Sequence, residues 1–124
     1  MDRSRTARER GRLAEEAVAE WFTARGYQQL ARNYTAGKLG ELDLVLEHEG
    51  TLCVVEVKAR SGSAFGGPAA SLTAGKLRRM RHVTLHFLQK QALMHKRVQF
   101  LAAIVQLNTQ GDIMDLKVVP IYFK

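Results

Sequence analysis

Asp43, Glu56 and Lys58 are the residues whose types and spacing can do chemistry, because a predicted hairpin brings them together. The stretch Gly40 to Arg60, GELDLVLEHEGTLCVVEVKAR, reads as two strands turning at Glu49-Gly50. Leu42, Leu44 and Leu46 alternate with Glu41, Asp43, Val45 and Glu47, the pattern of a strand with one face on a core. Leu52 to Ala59 is rich in Val, as a central strand should be, yet carries Glu56 and Lys58 where apolar residues would pack without desolvation cost. With a two-residue loop, His48 faces Thr51, Asp43 faces Glu56, and Glu41 faces Lys58, all on one face of the sheet. Opposed Cβ atoms lie about 4.5–5.5 Å apart, so two carboxylates repel unless something positive lies between them. A divalent cation would serve. Mg²⁺ takes oxygen ligands and keeps several waters, one of which can attack a phosphodiester, while an ammonium orients that water or offsets phosphate charge. A cross-strand ion-pair ladder accounts for Glu41 opposite Lys58, but not for Asp43 opposite Glu56.

The elements that must position these groups belong to a chain of 124 residues, long enough for one domain with a real core. Charged residues make up 25% and hydrophobic ones 46%, which excludes a largely disordered chain. No apolar run approaches a membrane span, and the Arg-rich start lacks the apolar core of a secretory signal, so the expected location is cytoplasmic. The single cysteine, Cys53, falls mid-strand on the face opposite Glu56 and reads as a small core residue; no disulfide or zinc framework is available. The net charge of +7 is unevenly spread. Five of the twelve acids lie between Glu41 and Glu56, and none between Glu56 and Asp112. An acidic cluster inside a basic body suits a cation site on a surface that attracts a polyanion.

Residues 1–10 form a basic arm, at least its start frayed, that overlaps a helix predicted from about Thr6 to Arg25, with Leu13, Ala14, Ala17, Val18, Trp21 and Phe22 on one stripe and Gly26 as its stop. Glu15 lies on the margin of that stripe, either in water or pointing along the sheet towards the acidic cluster. Tyr27 to Tyr34 is a first strand that pairs with the hairpin. The Gly- and Ser-rich loop Ser61 to Pro68 leaves directly from the active-site strand; there Phe65 packs as an anchor or stacks on a base. A second helix runs from about Leu72 to Gln91, with Ser71 or Thr73 as cap, an inward face of Leu77, Met80, Thr84, Phe87 and Leu88, and an outward basic stripe of Arg78, His82, His86 and Lys90. His82 and His86 have metal-ligand spacing without an acid or cysteine nearby to complete a zinc site. Lys76 sits in the first turn, where the helix dipole disfavours a cation and where a phosphate would reconcile the two. Val98 to Leu107 and Ile113 to Phe123 are two further strands around Asn108-Thr109-Gln110-Gly111. There is no internal repeat, phosphate loop or dinucleotide fingerprint.

This order of elements, with Gly11 and Ala14-Glu15, Arg32-Asn33, Gly40-Glu41-Leu42-Asp43-Leu44, Val55-Glu56-Val57-Lys58-Ala59-Arg60, Phe65-Gly66 and Lys76, resembles the small bacterial YraN-like, endonuclease-like family. That family resembles in turn the PD-(D/E)XK nucleases and the archaeal Holliday-junction resolvases. The resemblance spans most of the chain. It implies an α/β fold with a restriction-endonuclease-like αβββαβ core, a mixed central sheet flanked by helices. It implies Asp43 and Glu56 as ligands of Mg²⁺ or Mn²⁺, Glu15 as a third acid and metal ligand, and Lys58 beside the attacking water. Glu41 becomes an accessory group, and Arg60 and Lys76, with Arg78, Arg79 and Arg81 of the basic helix, become nucleic-acid contacts. Where family members have Arg-Phe-Asp at the start of the strand after helix two, this chain has Gln99-Phe100-Leu101, so either that aspartate is dispensable or the protein has drifted from full activity. The implied activity is metal-dependent endonucleolytic cleavage of DNA, branched or duplex, by a protein that resolvase analogy makes a homodimer. The alternatives are a nucleic-acid-binding or repair-complex module with little activity of its own, and an interaction protein whose basic face binds RNA or a partner.

Overall fold

The computed structural model describes residues 5–61 and 72–123. Thr6 starts the first helix: its hydroxyl accepts from the Glu9 N–H while the Glu9 carboxylate accepts from the Thr6 N–H, a complete capping box. Helix α1 then runs Ala7–Thr23 and buries Ala14, Val18, Ala19 and Phe22. The predicted basic arm is therefore shorter than residues 1–10, because Ala7 onward is helical and Arg5 is tied down. Arg5 pairs with Asp112, and its N–H donates to Gln110 O at 3.2 Å. Arg10 donates to Thr109 O and to Ser61 Oγ. The helix start is thus clamped to the last turn of the sheet.

Five strands follow in spatial order β1 (Gln28–Thr35), β2 (Glu41–His48), β3 (Thr51–Ser61), β4 (Arg97–Leu107) and β5 (Ile113–Ile121). All neighbours are antiparallel except β3 and β4, which are parallel and joined through helix α2 (Ala74–Lys90). The result is the mixed sheet of an αβββαβ core, with β3 in the middle. Boundaries move by one to three residues from the periodicity. Thr73 caps α2 by accepting from the Lys76 N–H, while the other cap candidate, Ser71, and the loop carrying Phe65 and Gly66 lie outside the described residues.

The sheet has helices on both faces, and alternation along β3 divides the core. Cys53, Val55 and Val57 join Leu44, Leu46, Leu101 and the apolar stripe of α1. Val54 joins Val45, Leu42 and the Met80, Val83 and Phe87 face of α2. So β2 is not the strand with one core face that its alternation predicts: Val45 is buried beneath α2 as fully as Leu44 and Leu46 are beneath α1. Leu42 crosses to the α2 side, out of step with Leu44, at the point where Asp43 interrupts the strand. Along α2, Val83 belongs to the inward face, and His86 leaves the outward stripe, its Nδ1 lying 2.7 Å from the Tyr34 hydroxyl. Among the described residues no helix is long and apolar enough to cross a membrane.

Candidate active site

The predicted register holds from the turn as far as Val55, but the predicted pairs Asp43–Glu56 and Glu41–Lys58 are not part of the ladder. His48 pairs with Thr51, and the ladder runs back through Leu46↔Cys53 to Leu44↔Val55, so continuation would set Asp43 opposite Glu56. Glu49 and Gly50 have φ of 50° and 80°, positive at both turn positions as a two-residue hairpin requires. Beyond Val55 the strands part. Glu41 and Leu42 remain paired with β1, and the Val57 N–H donates at 2.8 Å to Asp43 Oδ2 rather than to a carbonyl of β2. A side chain has replaced a ladder bond, and the opening it leaves is the site. Gly40 makes the entry to β2 possible: its φ of 131° is one that L side chains rarely adopt, and a Cβ there would lie 3.5 Å from Val83 Cγ2.

The opening is a cavity of about 240 Å³ walled by Glu41, Asp43, Glu56, Lys76, Arg79 and Val83. Helix periodicity explains the α2 side, since Arg79 and Met80 each lie three or four residues from both Lys76 and Val83. Glu56 Oε1 is clasped by two ammonium groups, Lys58 Nζ and Lys76 Nζ, each at 3.3 Å, and the Glu56 side chain is only 13% exposed. The Lys76 pairing resolves the cation in the first turn of α2: the compensating anion is Glu56, without need of a phosphate. Lys58 pairs along its own strand with Glu56 and not across it with Glu41, so the cross-strand ion-pair ladder does not form.

Burial first, and then the neighbouring Glu56 carboxylate, push Asp43 up to about 7; the Val57 N–H opposes this, while Glu15 and a hydrogen bond between the Asp43 and Glu56 carboxyls add to it. Burial, followed by its hydrogen bond with Lys76, pulls Lys58 below an ordinary lysine; that same bond chiefly raises Lys76. Two lysines on one carboxylate oxygen thus divide their protons unequally.

Asp43, Glu56, Lys58 and Lys76 are brought together as expected. Glu15 is near enough to repel Asp43 but does not line the cavity, and among the described residues no three His, Cys, Asp or Glu side chains converge as a metal site would need. Glu41 lines the rim and is exposed. Arg60 lies two residues beyond Lys58 on β3, paired with Gln106 and away from the cavity wall. The three arginines of α2 divide: Arg79 faces the cavity, whereas Arg78 and Arg81 face a groove on the other flank of the helix. Leu101 faces the α1-side core beside Val55, on the side of the sheet opposite to Glu56. Sequence reasoning missed the Val57 N–H as a carboxylate anchor and Val83 as the apolar wall. Continuing the hairpin register one step past Val55 would have pointed to the first; the second carries no signal beyond periodicity.

The donor set suits a hard divalent cation: two oxygen ligands that repel one another, one holding a proton a cation would displace, with no sulfur or imidazole beside them. Similarity to known proteins extends over nearly the whole chain. A protein from Caldicellulosiruptor saccharolyticus is 32% identical over 112 residues, covering 90% of this chain and 94% of its own. One from Cupriavidus pinatubonensis is 39% identical over 119 residues, covering 86% and 93%, and one from Verminephrobacter eiseniae is 47% identical over 88 residues, covering 68% and 61%. All three are named as UPF0102 proteins. The model of that family, described as uncharacterised, matches residues 14–107, from the first buried residue of α1 to the end of β4 and across every cavity residue. The chain belongs to the UPF0102 family, the YraN-like family its motifs resemble.

Proposed function

We propose that this protein hydrolyses phosphodiester bonds in DNA as a Mg²⁺- or Mn²⁺-dependent endonuclease. One observation carries the reading: Asp43 and Glu56 both line the cavity at the opening of the β2–β3 ladder, with Lys58 and Lys76 each 3.3 Å from Glu56 Oε1. Asp43 and Glu56 would hold the cation, which when bound supplies Lewis-acid polarisation of a phosphoryl oxygen. The remaining groups are the chain's own. The Val57 N–H fixes one Asp43 oxygen and leaves the other turned to the site. Lys58, the lysine with the lowered proton affinity, is the one suited to orient or deprotonate a water. Lys76, whose proton affinity is raised, and Arg79 on the cavity wall receive the phosphate. The net charge of +7 draws a polyanion to this wall.

A second reading is favoured because Glu15 does not line the cavity and, among the described residues, no three His, Cys, Asp or Glu side chains converge: a nucleic-acid-binding module that keeps the fold and cuts little. The two separate in a cleavage assay on linear, flapped and four-way-junction DNA with Mg²⁺, Mn²⁺ or EDTA. The nuclease reading expects metal-dependent cutting that Asp43→Ala, Glu56→Ala and Lys58→Ala each abolish while binding survives. Salt-sensitive binding with no cutting in any metal leaves the binding module.

A further inference from the structure

The larger concave surface of the molecule lies not at the acidic cavity but on the other flank of α2. Helix α2 packs chiefly over β2, and Val98 and Phe100 of β4 and Ile121 of β5 are only partly buried against its core cluster. Between them run overlapping hollows of about 390, 640 and 410 Å³. Their floor is apolar, including Val98, Phe100 and Phe123. Arg78 and Arg81 stand along the rim, one helical step round from Lys76 and Arg79, and among the described residues lining these hollows there is no carboxylate. Phe123 packs edge-on against Phe100 at 4.7 Å, and the Arg81 guanidinium lies over the Phe123 ring at 5.2 Å, so the arginine is held in place by its stacking. Tyr122 is 81% exposed and borders two of the three hollows.

We infer that this groove binds single-stranded nucleic acid, with a base stacked on Tyr122 and the backbone phosphates paired to Arg78 and Arg81. Charge complementarity selects the occupant: a wall with two arginines and no acid wants an anion, and an exposed aromatic ring beside an apolar floor wants flat apolar faces. A single strand supplies both at once along one chain, which a duplex with its bases paired does not. Arg78 and Arg79 are adjacent in sequence but face the groove and the cavity respectively, so the two surfaces flank the same helix. The inference rests on the nucleic-acid part of the proposed function and narrows the substrate to DNA with an unpaired segment.

The test is equilibrium binding in EDTA, so that no cleavage is needed, followed by the fluorescence anisotropy of labelled strands of about a dozen nucleotides. Oligo-dT and an abasic strand of equal length carry the same phosphates and differ only in bases. Wild type is expected to bind oligo-dT about tenfold more tightly than the abasic strand, a modest share of what stacking on one aromatic ring is worth. Tyr122→Ala removes that preference and leaves the salt dependence unchanged, whereas Tyr122→Phe keeps it. Arg78→Ala and Arg81→Ala each lower the slope of log K against log salt by about 0.7. Tyr122 is exposed, so its loss leaves the circular dichroism spectrum unchanged. Equal binding of both strands, indifferent to Tyr122→Ala, overturns the groove assignment while leaving DNA binding at the cavity intact. Absence of salt-sensitive binding to any strand overturns this inference and the DNA part of the proposed function together. A groove built for an acidic peptide gives the first of these two results.

Discussion

Replacing Asp43 by asparagine is expected to stabilise the protein at about pH 8, by an amount that disappears on acidification. In the folded chain Asp43 holds its proton up to about 7, against an ordinary 3.8 in the unfolded chain. Between those values the folded state binds a proton that the unfolded state has lost. Stability therefore falls as pH rises through this window and levels off above about 7. At about 1.4 kcal/mol per pH unit the full effect is about 4 kcal/mol. The asparagine carbonyl still accepts from the Val57 N–H, so the expected gain is about 2–4 kcal/mol at pH 8 and near zero by about pH 4. Urea unfolding reads this through the fluorescence of the only tryptophan, Trp21, whose ring lies under the Arg25 guanidinium at 3.6 Å in the folded state. An asparagine variant no more stable than wild type at pH 8 would refute the raised proton affinity of Asp43, as would a gain that persists unchanged in acid.

Three further outcomes follow from the same geometry. Millimolar Mg²⁺ or Mn²⁺ is expected to raise the wild-type urea midpoint near neutral pH, by about 2.7 kcal/mol at a hundredfold excess over the dissociation constant, and to leave Asp43→Asn unmoved; an equal rise in both places the cation elsewhere. Glu49→Asn is expected to add up to about 1 kcal/mol, because Glu49 is held at positive φ in the hairpin turn, where asparagine is more at ease; a lower urea midpoint contradicts it. Leu101→Asp is expected to lose about 3 kcal/mol or more, since Leu101 is 7% exposed among Val55, Val105 and the α1 stripe with no cation to meet it; restored cutting in a variant of unchanged stability would show that the aspartate reaches the site after all.

The hairpin was legible because its signals are local: period-2 alternation, a turn at Glu49-Gly50, and acids in a strand that has no packing use for them. The register followed from loop length alone, and with it the Asp43–Glu56 juxtaposition. What alternation could not supply was the second covering helix. Val45 looks like a solvent-side position in a strand read alone, and only the packing of α2 over it makes it core. The same helix decided the fate of the charges. Lys76 in sequence is a cation at the wrong end of a dipole; in space it is one half of the clasp on Glu56. Arg78, Arg79 and Arg81 read alike as nucleic-acid contacts of one basic helix, but the helical step of about 100° sends Arg79 to the flank opposite Arg78 and Arg81. Tyr122 had no sequence signal, since a tyrosine near a terminus is usually packing.

The departure at Leu101 bears less on activity than its place in the motif implies. Strand β4 runs parallel to β3 with Leu101 beside Val55, one residue out of step with Glu56, and a one-residue step in a strand is a change of face. The leucine fills the α1-side core, while the cavity opens on the α2 side. Replacing an acid by leucine there strengthens the layer on which β3 rests, and leaves untouched the face that carries Glu56 and Lys58. What the chain has not relaxed is the costly feature: a repelling pair of carboxyls that disfavours folding near neutral pH and that an Asp43→Asn change would relieve. Strain of that kind, set at a cavity between two lysines while the opposite face is packed for stability, is the distribution expected where chemistry and not packing fixes the residues.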